Sequence, residues 1–303
     1  MRHDGVIDPA TGRKFYLDAP DQPGGTPLTI LLSLHGGGSF GAWQRLYFPA
    51  QDYADRFGLV IATPTAATTE PSRRWVGEAD DEHLRSVTEL VIDRFGADAI
   101  ASFWLAGHSQ GGLTAARLLT TPYFADRVDG WLSLSGGRLG AAELVDGFGP
   151  PDPPGQPPRH RLTDAQRQQL RPAAPCTDLS FIFAVGQHEI VALPERSPWA
   201  ERYGAAARIR LPDIVDTEPG QAWDKIREAY SSRAWGLLPR PGTAEVYVYP
   251  QARNGRVIAD VVRLDKGHTE GLEPEVTQEL ITMMVTAPGG KIRALRASGA
   301  RAS

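Results

Sequence analysis

The sequence has 303 residues, of which 41% are hydrophobic and 22% are charged, and its formal net charge is −4. These values argue against a nucleic-acid-binding protein, which usually carries a basic patch, and against an acidic disordered chain. A chain of this length and hydrophobic content can bury one large core.

Short apolar runs alternate with amphipathic stretches along most of the chain. The runs predict buried strands because each is apolar on both faces and is bounded by Gly, Pro or polar residues. They span residues 28–34, 59–62, 102–106, 131–134 and 181–185. The helical stretches cover residues 43–57, 80–95, 110–121 and 195–208. Three further strands are predicted over residues 14–17, 245–249 and 257–262, the first at an edge of the sheet. This alternation indicates βαβ units, and therefore an α/β fold with a mostly parallel central sheet flanked by helices.

Two segments fall outside this alternation. Residues 138–179 include Pro150-Pro151-Asp152-Pro153-Pro154, which a central strand cannot hold, so we interpret the segment as a proline-rich insertion. It is either an ordered lid or binding loop, or a surface loop. From residue 288 onward, basic residues among small ones predict a disordered tail. We therefore predict a single α/β domain over residues 1–287 and a tail over residues 288–303.

The segment Gly107-His108-Ser109-Gln110-Gly111 matches the pattern G-x-S-x-G. It directly follows the apolar run 102–106 and directly precedes a stretch rich in small residues that is typical of a helix. A serine on such a sharp strand-to-helix turn has an exposed hydroxyl, and the flanking glycines remove side chains that would clash. Ser109 is therefore the predicted nucleophile.

A glycine-rich turn follows an earlier predicted strand. His35-Gly36-Gly37-Gly38 comes directly after residues 28–34, where an enzyme of this architecture places its first oxyanion donor. Glycines allow the backbone to approach a ligand and to present free N–H groups. We expect the N–H of Gly37, or that of Gly38, to form an oxyanion hole with the N–H of Gln110.

A nucleophilic serine requires a base, which follows the serine in chain order in this architecture. The histidines after Ser109 are His160, His188 and His268. His160 belongs to the proline-rich insertion, whereas His268 lies just after the last predicted strand. A loop after that strand can reach the carboxyl ends of the sheet, where Ser109 must lie, so His268 is the predicted base.

The acid that orients the base should follow the predicted strand 181–185. That strand continues into Gly186-Gln187-His188-Glu189, which makes Glu189 the first choice. Its carboxylate would hold the imidazole in the useful tautomer without taking its proton. Glu195, Asp213 and Asp216 are the alternatives that the sequence leaves open.

With these motifs in place, the chain resembles α/β-hydrolases, and among them the group of polyhydroxybutyrate depolymerases and feruloyl or acetylxylan esterases. The resemblance covers residues 12–285 and rests on segments 34–38, 79–82, 107–112, 186–189 and 266–269. It implies an α/β-hydrolase fold with Ser109, Glu189 and His268 as catalytic triad and the N–H of Gly37 as an oxyanion donor. It also implies a mechanism that needs neither a metal ion nor a cofactor.

Aromatic residues near the predicted active-site loops are candidates for an acyl or aryl pocket. Phe40 and Trp43 follow the glycine-rich turn, His108 precedes the nucleophile, and Trp75 follows the strand 59–62. We include these four in the predicted substrate pocket.

The sequence thus predicts a serine esterase acting on a small or oligomeric ester. A peptidase or amidase on the same triad is the alternative, and a non-catalytic binding protein of the same fold is a further one. Its lone cysteine, Cys176, cannot form an internal disulfide, and no apolar run approaches the roughly 18 residues of a membrane span. The first residues lack the apolar core of a signal peptide, so we expect a cytoplasmic protein with no nucleic-acid or membrane partner.

Overall fold

The computed structural model describes residues 2–21, 27–70, 72–139, 177–189, 193–224 and 235–299. The strands within these ranges are β1 (Arg2–Ile7), β2 (Lys14–Asp18), β3 (Leu28–Leu34), β4 (Leu59–Pro64), β5 (Ile100–His108), β6 (Gly130–Leu134), β7 (Ser180–Gly186), β8 (Ile209–Arg210), β9 (Ile214–Val215), β10 (Thr243–Val248) and β11 (Ile258–Arg263). The α-helices are α1 (Gly41–Tyr47), α2 (Ala54–Phe57), α3 (Gly77–Phe95), α4 (Gln110–Leu118), α5 (Pro122–Ala125), α6 (Pro198–Arg202), α7 (Pro274–Thr286) and α8 (Lys291–Gly299). Among these helices, none is both long enough and apolar enough to cross a lipid bilayer.

All of these strands belong to one mixed sheet. Its order is β1-β2-β4-β3-β5-β6-β7-β11-β10-β8, and β9 pairs with β10 beside β8. The six strands from β4 to β11 are parallel, while the strands at both edges are antiparallel. Every residue of β3, β4, β6, β7 and β11 is buried, as expected for parallel strands covered on both faces. The predicted mostly parallel central sheet is therefore confirmed.

The carboxyl ends of parallel strands lie together at one end of the sheet, and this brings the predicted motifs together. The glycine-rich turn follows β3, Ser109 follows β5, Glu189 follows β7 and His268 follows β11. Because β7 and β11 are neighbours, with Gly186 opposite Arg263, the loops that carry the acid and the base start side by side.

Several boundaries differ from the sequence prediction. Residues 14–17 lie in β2, which is not the edge strand, because β1 pairs on its outer side. The sequence does not predict β1, since its polar first residues give no hydrophobic pattern. The helix predicted over 43–57 is interrupted by Phe48 and Pro49, and the one predicted over 110–121 ends at Leu118. Proline at the first position explains where α5 and α6 begin. The helix predicted over 195–208 ends early, at Arg202, just before Gly204 with its φ of 62°.

The disordered tail predicted from residue 288 is wrong for residues 291–299, which form α8. Ile292 is buried against the core, and Lys291 extends its Nζ to the carbonyl oxygen of Val128 at 2.7 Å. Burial lowers the pKa of Lys291 to about 8. A buried apolar residue, a lysine that donates to carbonyl groups and an ion pair between Arg296 and Asp98 thus hold a segment whose composition indicates disorder. Residues 140–176, most of the predicted insertion, lie outside the described residues, so the lid prediction stays a prediction.

Gly111, in the first turn of α4, lies unusually close to the end of β3. A Cβ atom at this position would be 2.4 Å from the carbonyl oxygen of Leu34. Although Gly→Ala usually stabilises a helix, we expect Gly111→Ala to lower the free energy of unfolding by about 1–3 kcal/mol through overpacking. Urea unfolding measures this, and Gly299→Ala in α8 is the control, because no atom lies within 4 Å of its added Cβ. Equal midpoints for the two variants would contradict the close approach of α4 to β3.

Candidate active site

Ser109 occupies a strained turn between β5 and α4. Its φ of 52° and ψ of −119° lie in a region that L-residues rarely adopt, and its N–H donates to the carbonyl oxygen of Leu134 on the neighbouring β6. The turn also requires Gly107, where a Cβ atom would lie 2.3 Å from the carbonyl carbon of Gly111. The two flanking glycines thus allow the sharp turn that exposes the serine hydroxyl.

Ser109, His268 and Glu189 form one hydrogen-bonded chain. The Ser109 Oγ lies 2.9 Å from the Nε2 of His268, and the Nδ1 of His268 lies 2.5 Å from the Oε2 of Glu189. Because a carboxylate only accepts hydrogen bonds, the imidazole carries its proton on Nδ1 and leaves Nε2 free to accept from the serine. The three residues come from loops after three different strands, and the sheet brings them within direct contact.

The carboxylate of Glu189 is buried and has three partners. Its Oε1 accepts hydrogen bonds from the Oγ of Ser135 and from the N–H of Gly186, both at 2.8 Å, while its Oε2 faces His268. These bonds fix the orientation of the carboxyl group. Sequence reasoning missed Ser135, although its position directly after β6 matches that of Ser109 directly after β5.

The other acids considered for the same role lie in different surroundings. Asp213 forms a bidentate pair with Arg210 at the surface. Asp216 accepts the N–H groups of Glu275 and Val276 at the start of α7. Glu195 has an exposed side chain. None of these three carboxylates contacts His268, so the geometry favours Glu189.

Two backbone N–H groups lie beside Ser109 without an acceptor among the described residues, those of Gly37 and Gln110. The two residues are adjacent, since a Cβ atom at Gly37 would be 3.5 Å from the Oε1 of Gln110. By contrast, the N–H of Gly38 donates to the carbonyl oxygen of Arg73 at 2.6 Å and is not available. Of the two donors left open by the sequence, the geometry therefore favours Gly37.

The glycine-rich turn is held from behind by His35 and Trp75. The Nδ1 of His35 donates to the carbonyl oxygen of Gly36, and its Nε2 accepts the N–H of Ala66. Trp75 donates from Nε1 to the carbonyl oxygen of His35 at 2.8 Å, and its backbone pairs with the side-chain amide of Gln110. Trp75 is buried and supports the turn, and its place in a substrate pocket stays a prediction.

The buried His35 makes stability depend on pH. Desolvation lowers its pKa from 6.5 to about 4, so between these values the unfolded chain binds a proton that the folded chain does not. The contribution of His35 to the free energy of unfolding is therefore fully present above pH 6.5. It falls by about 3 kcal/mol as the pH drops to 4. We expect His35→Gln to remove about one proton from the slope of unfolding free energy against pH, measured by urea titrations.

Two further buried histidines, His83 and His108, also have lowered pKa values and add to the slope in the same direction. An unchanged slope in His35→Gln would show that His35 is protonated in the folded state.

The aromatic residues predicted to form a pocket have different positions. Trp43 is half-buried and stacks on Tyr47 with ring centroids 5.1 Å apart, and Phe40 is 49% exposed beyond the glycine-rich turn. His108 is only 3% exposed, and its ring lies 4.8 Å from that of His268; its place in a substrate pocket stays a prediction. Sequence reasoning missed Trp235, whose ring meets the imidazole of His268 edge-on at 5.3 Å.

The parallel sheet, its strand order and the serine turn between β5 and α4 define an α/β-hydrolase fold. A search of solved structures agrees. An acetyl xylan esterase from Aspergillus awamori matches with a TM-score of 0.52 and 11% identity, over 93% of this chain and 98% of that chain. An identity this low shows a common fold alone.

Two other solved structures are similar at lower TM-scores. The Thermus thermophilus protein TT1662 matches with a TM-score of 0.46 and 19% identity, over 95% of this chain and 98% of that chain. A thermophilic esterase from the Planctomycetes species Thermogutta terrifontis matches with a TM-score of 0.39 and 12% identity, over 61% of this chain and 71% of that chain. No protein-family model matches the sequence, and no curated protein matches it. The depolymerase and feruloyl esterase group inferred from the motifs stays a prediction.

Proposed function

We propose that this protein is a serine hydrolase that cleaves carboxylic esters through an acyl-enzyme intermediate. The observation that carries the proposal is the hydrogen-bonded chain from Ser109 through His268 to the buried Glu189. The adjacent free N–H groups of Gly37 and Gln110 support it, because they suit the negative oxygen of a tetrahedral intermediate.

In the first half of the reaction, the Oγ of Ser109 attacks the ester carbonyl while the Nε2 of His268 takes the hydroxyl proton. The carbonyl oxygen becomes negative and accepts hydrogen bonds from Gly37 and Gln110. Collapse of this intermediate breaks the bond to the alkoxy oxygen, which leaves as an alcohol with the proton from His268. Glu189 remains ionised and stabilises the imidazolium that forms in between.

In the second half, His268 removes a proton from water, which attacks the acyl carbon bound to Ser109. The same two N–H groups hold the second tetrahedral oxygen. Its collapse returns the proton to the Ser109 oxygen and releases the carboxylic acid. The net reaction consumes one ester and one water and regenerates the enzyme.

Hydrolysis of p-nitrophenyl esters from acetate to octanoate tests the proposal. We expect release of p-nitrophenol with a chain-length optimum that reports the size of the acyl pocket. Release of p-nitroaniline from the matching p-nitroanilides should be slower, because an amide needs better protonation of its leaving group. A fluorophosphonate probe should label Ser109, as mass spectrometry of the labelled peptide would show. A folded protein that neither hydrolyses an ester nor reacts with the probe would contradict the proposal.

A further inference from the structure

His108, the residue directly before the nucleophile, has a buried ring that contacts the base. Its Nε2 donates a hydrogen bond to the main-chain carbonyl oxygen of His268 at 2.9 Å. The ring also packs against Tyr47, with centroids 4.1 Å apart, and lies 4.8 Å from the ring of His268. The nucleophile turn and the base loop, which belong to different strands, are thus joined by one side chain.

The surroundings of His108 fix its tautomer. A carbonyl oxygen can only accept, so the proton lies on Nε2 and Nδ1 carries a lone pair. Nδ1 is buried with no partner among the described residues, and it faces Gly36, where a Cβ atom would lie 2.7 Å away. The glycine-rich turn therefore closes over a neutral imidazole whose only donor is directed at the base.

The charges around the ring favour the same neutral form. Burial lowers the pKa of His108 well below 6.5, and the positive charge of Arg263 acts in the same direction. Tyr47, packed on the other side, is itself kept neutral because burial raises its pKa. His108 thus supplies a hydrogen-bond donor beside His268 without adding a positive charge that would oppose the imidazolium formed during catalysis.

We propose that His108 is a positioning residue, which anchors the main chain of His268 and so holds its imidazole in line with Ser109. This rests on the proposed serine-hydrolase function. The imidazole must reach Ser109 and Glu189 at once, so its backbone has to be held in place. Tyr47 and Trp235 also contact His268. The bond from His108 is the shorter one to the carbonyl oxygen of His268, 2.9 Å against 3.5 Å from the hydroxyl of Tyr47. A displacement of about 1 Å at such a site typically costs about 100-fold in rate, so an anchor from the nucleophile turn has a direct effect on turnover.

Two amide substitutions separate this role from simple packing. The amide nitrogen of His108→Gln can reach the place of Nε2 and donate to the same carbonyl oxygen, whereas His108→Asn carries the same group but reaches only the place of Nδ1. His108→Phe keeps an aromatic ring and has no donor. We expect kcat for p-nitrophenyl acetate to stay within about 3-fold in the Gln variant and to fall by about 10- to 100-fold in the Asn and Phe variants. KM should change little in all three, because the buried His108 acts through His268.

The pH–rate profile tests whether a charge on His108 takes part in turnover. Because His108 stays neutral, the profile of His108→Gln from pH 5 to 8 should have the same shape as that of the wild type. Wild-type kcat in His108→Asn and His108→Phe would overturn the proposal, as would an equal loss in all three variants or a displaced profile in His108→Gln. Thermal unfolding identifies any variant that fails to fold. If His108→Phe does not fold, the comparison of His108→Gln with His108→Asn decides.

A second measurement separates this proposal from the proposed function. The NMR signal of the proton between His268 Nδ1 and Glu189 reports the orientation of the imidazole without turnover. We expect it to persist in His108→Gln and to broaden or shift in His108→Asn. An unchanged signal in both variants would overturn the positioning role, whereas a wild type without ester hydrolysis would overturn the proposed function alone.

Discussion

Replacing Ser109 by alanine should lower kcat for p-nitrophenyl acetate by about 10⁴-fold or more. The substitution removes the Oγ that accepts the acyl group and leaves His268 with no proton to take. Alanine keeps the Cβ atom, so the backbone at φ 52° meets the same strain and the fold is retained. The N–H groups of Gly37 and Gln110 remain, and they account for the small residual rate expected above water.

Stopped assays on wild type, Ser109→Ala and the control Ser298→Ala measure this effect. Ser298 lies in α8 and donates only to the carbonyl oxygen of Leu295, one turn earlier in the same helix. The control should keep the wild-type rate. Turnover in Ser109→Ala within 10-fold of wild type, with thermal unfolding unchanged, would exclude Ser109 as the nucleophile.

Replacing Glu189 by glutamine should lower kcat by about 10⁴-fold, because it stabilises the wrong tautomer of the His268 imidazole. The Oε1 of Glu189 accepts the N–H of Gly186, which can only donate, so the amide oxygen of glutamine must occupy that position. The amide NH2 group then faces the Nδ1 of His268. Nδ1 becomes the acceptor, the proton moves to Nε2, and the imidazole can no longer accept the proton of Ser109.

Asp213→Asn is the matched control, since it makes the same change of group at an acid that the sequence alone could not eliminate. Asp213 is bound to Arg210 at the surface, and we expect its variant to retain wild-type kcat. Both variants are compared by kcat and by urea unfolding at pH 7. A large loss of kcat in Asp213→Asn together with an active Glu189→Gln would show that Glu189 is not the acid of the triad.

Chain order and hydrophobic runs were enough to predict where the main parts of the site lie. Ser109, Glu189 and His268 each follow a short apolar run, and runs of that kind form parallel strands whose ends meet at one edge. Proximity in space therefore follows from position in the sequence, once the sheet is accepted. The same reasoning could not choose among the acids with certainty, because a loop carboxylate gives no local signal of its partner.

Other features of the site depend on packing across distant segments. Trp235 and Tyr47 contact His268 from parts of the chain that carry no motif, and Ser135 binds Glu189 through a single hydroxyl. The contact between His108 and the base loop depends on packing in the same way. A histidine beside a nucleophile can face solvent or the base loop, and only the position of the facing loop decides which.

The C-terminal helix α8 lies at the opposite end of the sheet from the serine. It follows Gly289, where a Cβ atom would lie 2.4 Å from the carbonyl oxygen of Ala101 at the start of β5, whereas Ser109 follows the end of that strand. The nine residues of β5 therefore separate the start of α8 from Ser109 by the length of that strand. A protein linked to a bead or sensor chip through the end of α8 would consequently present its reactive edge to the bulk solution, with the substrate's approach unobstructed by the support.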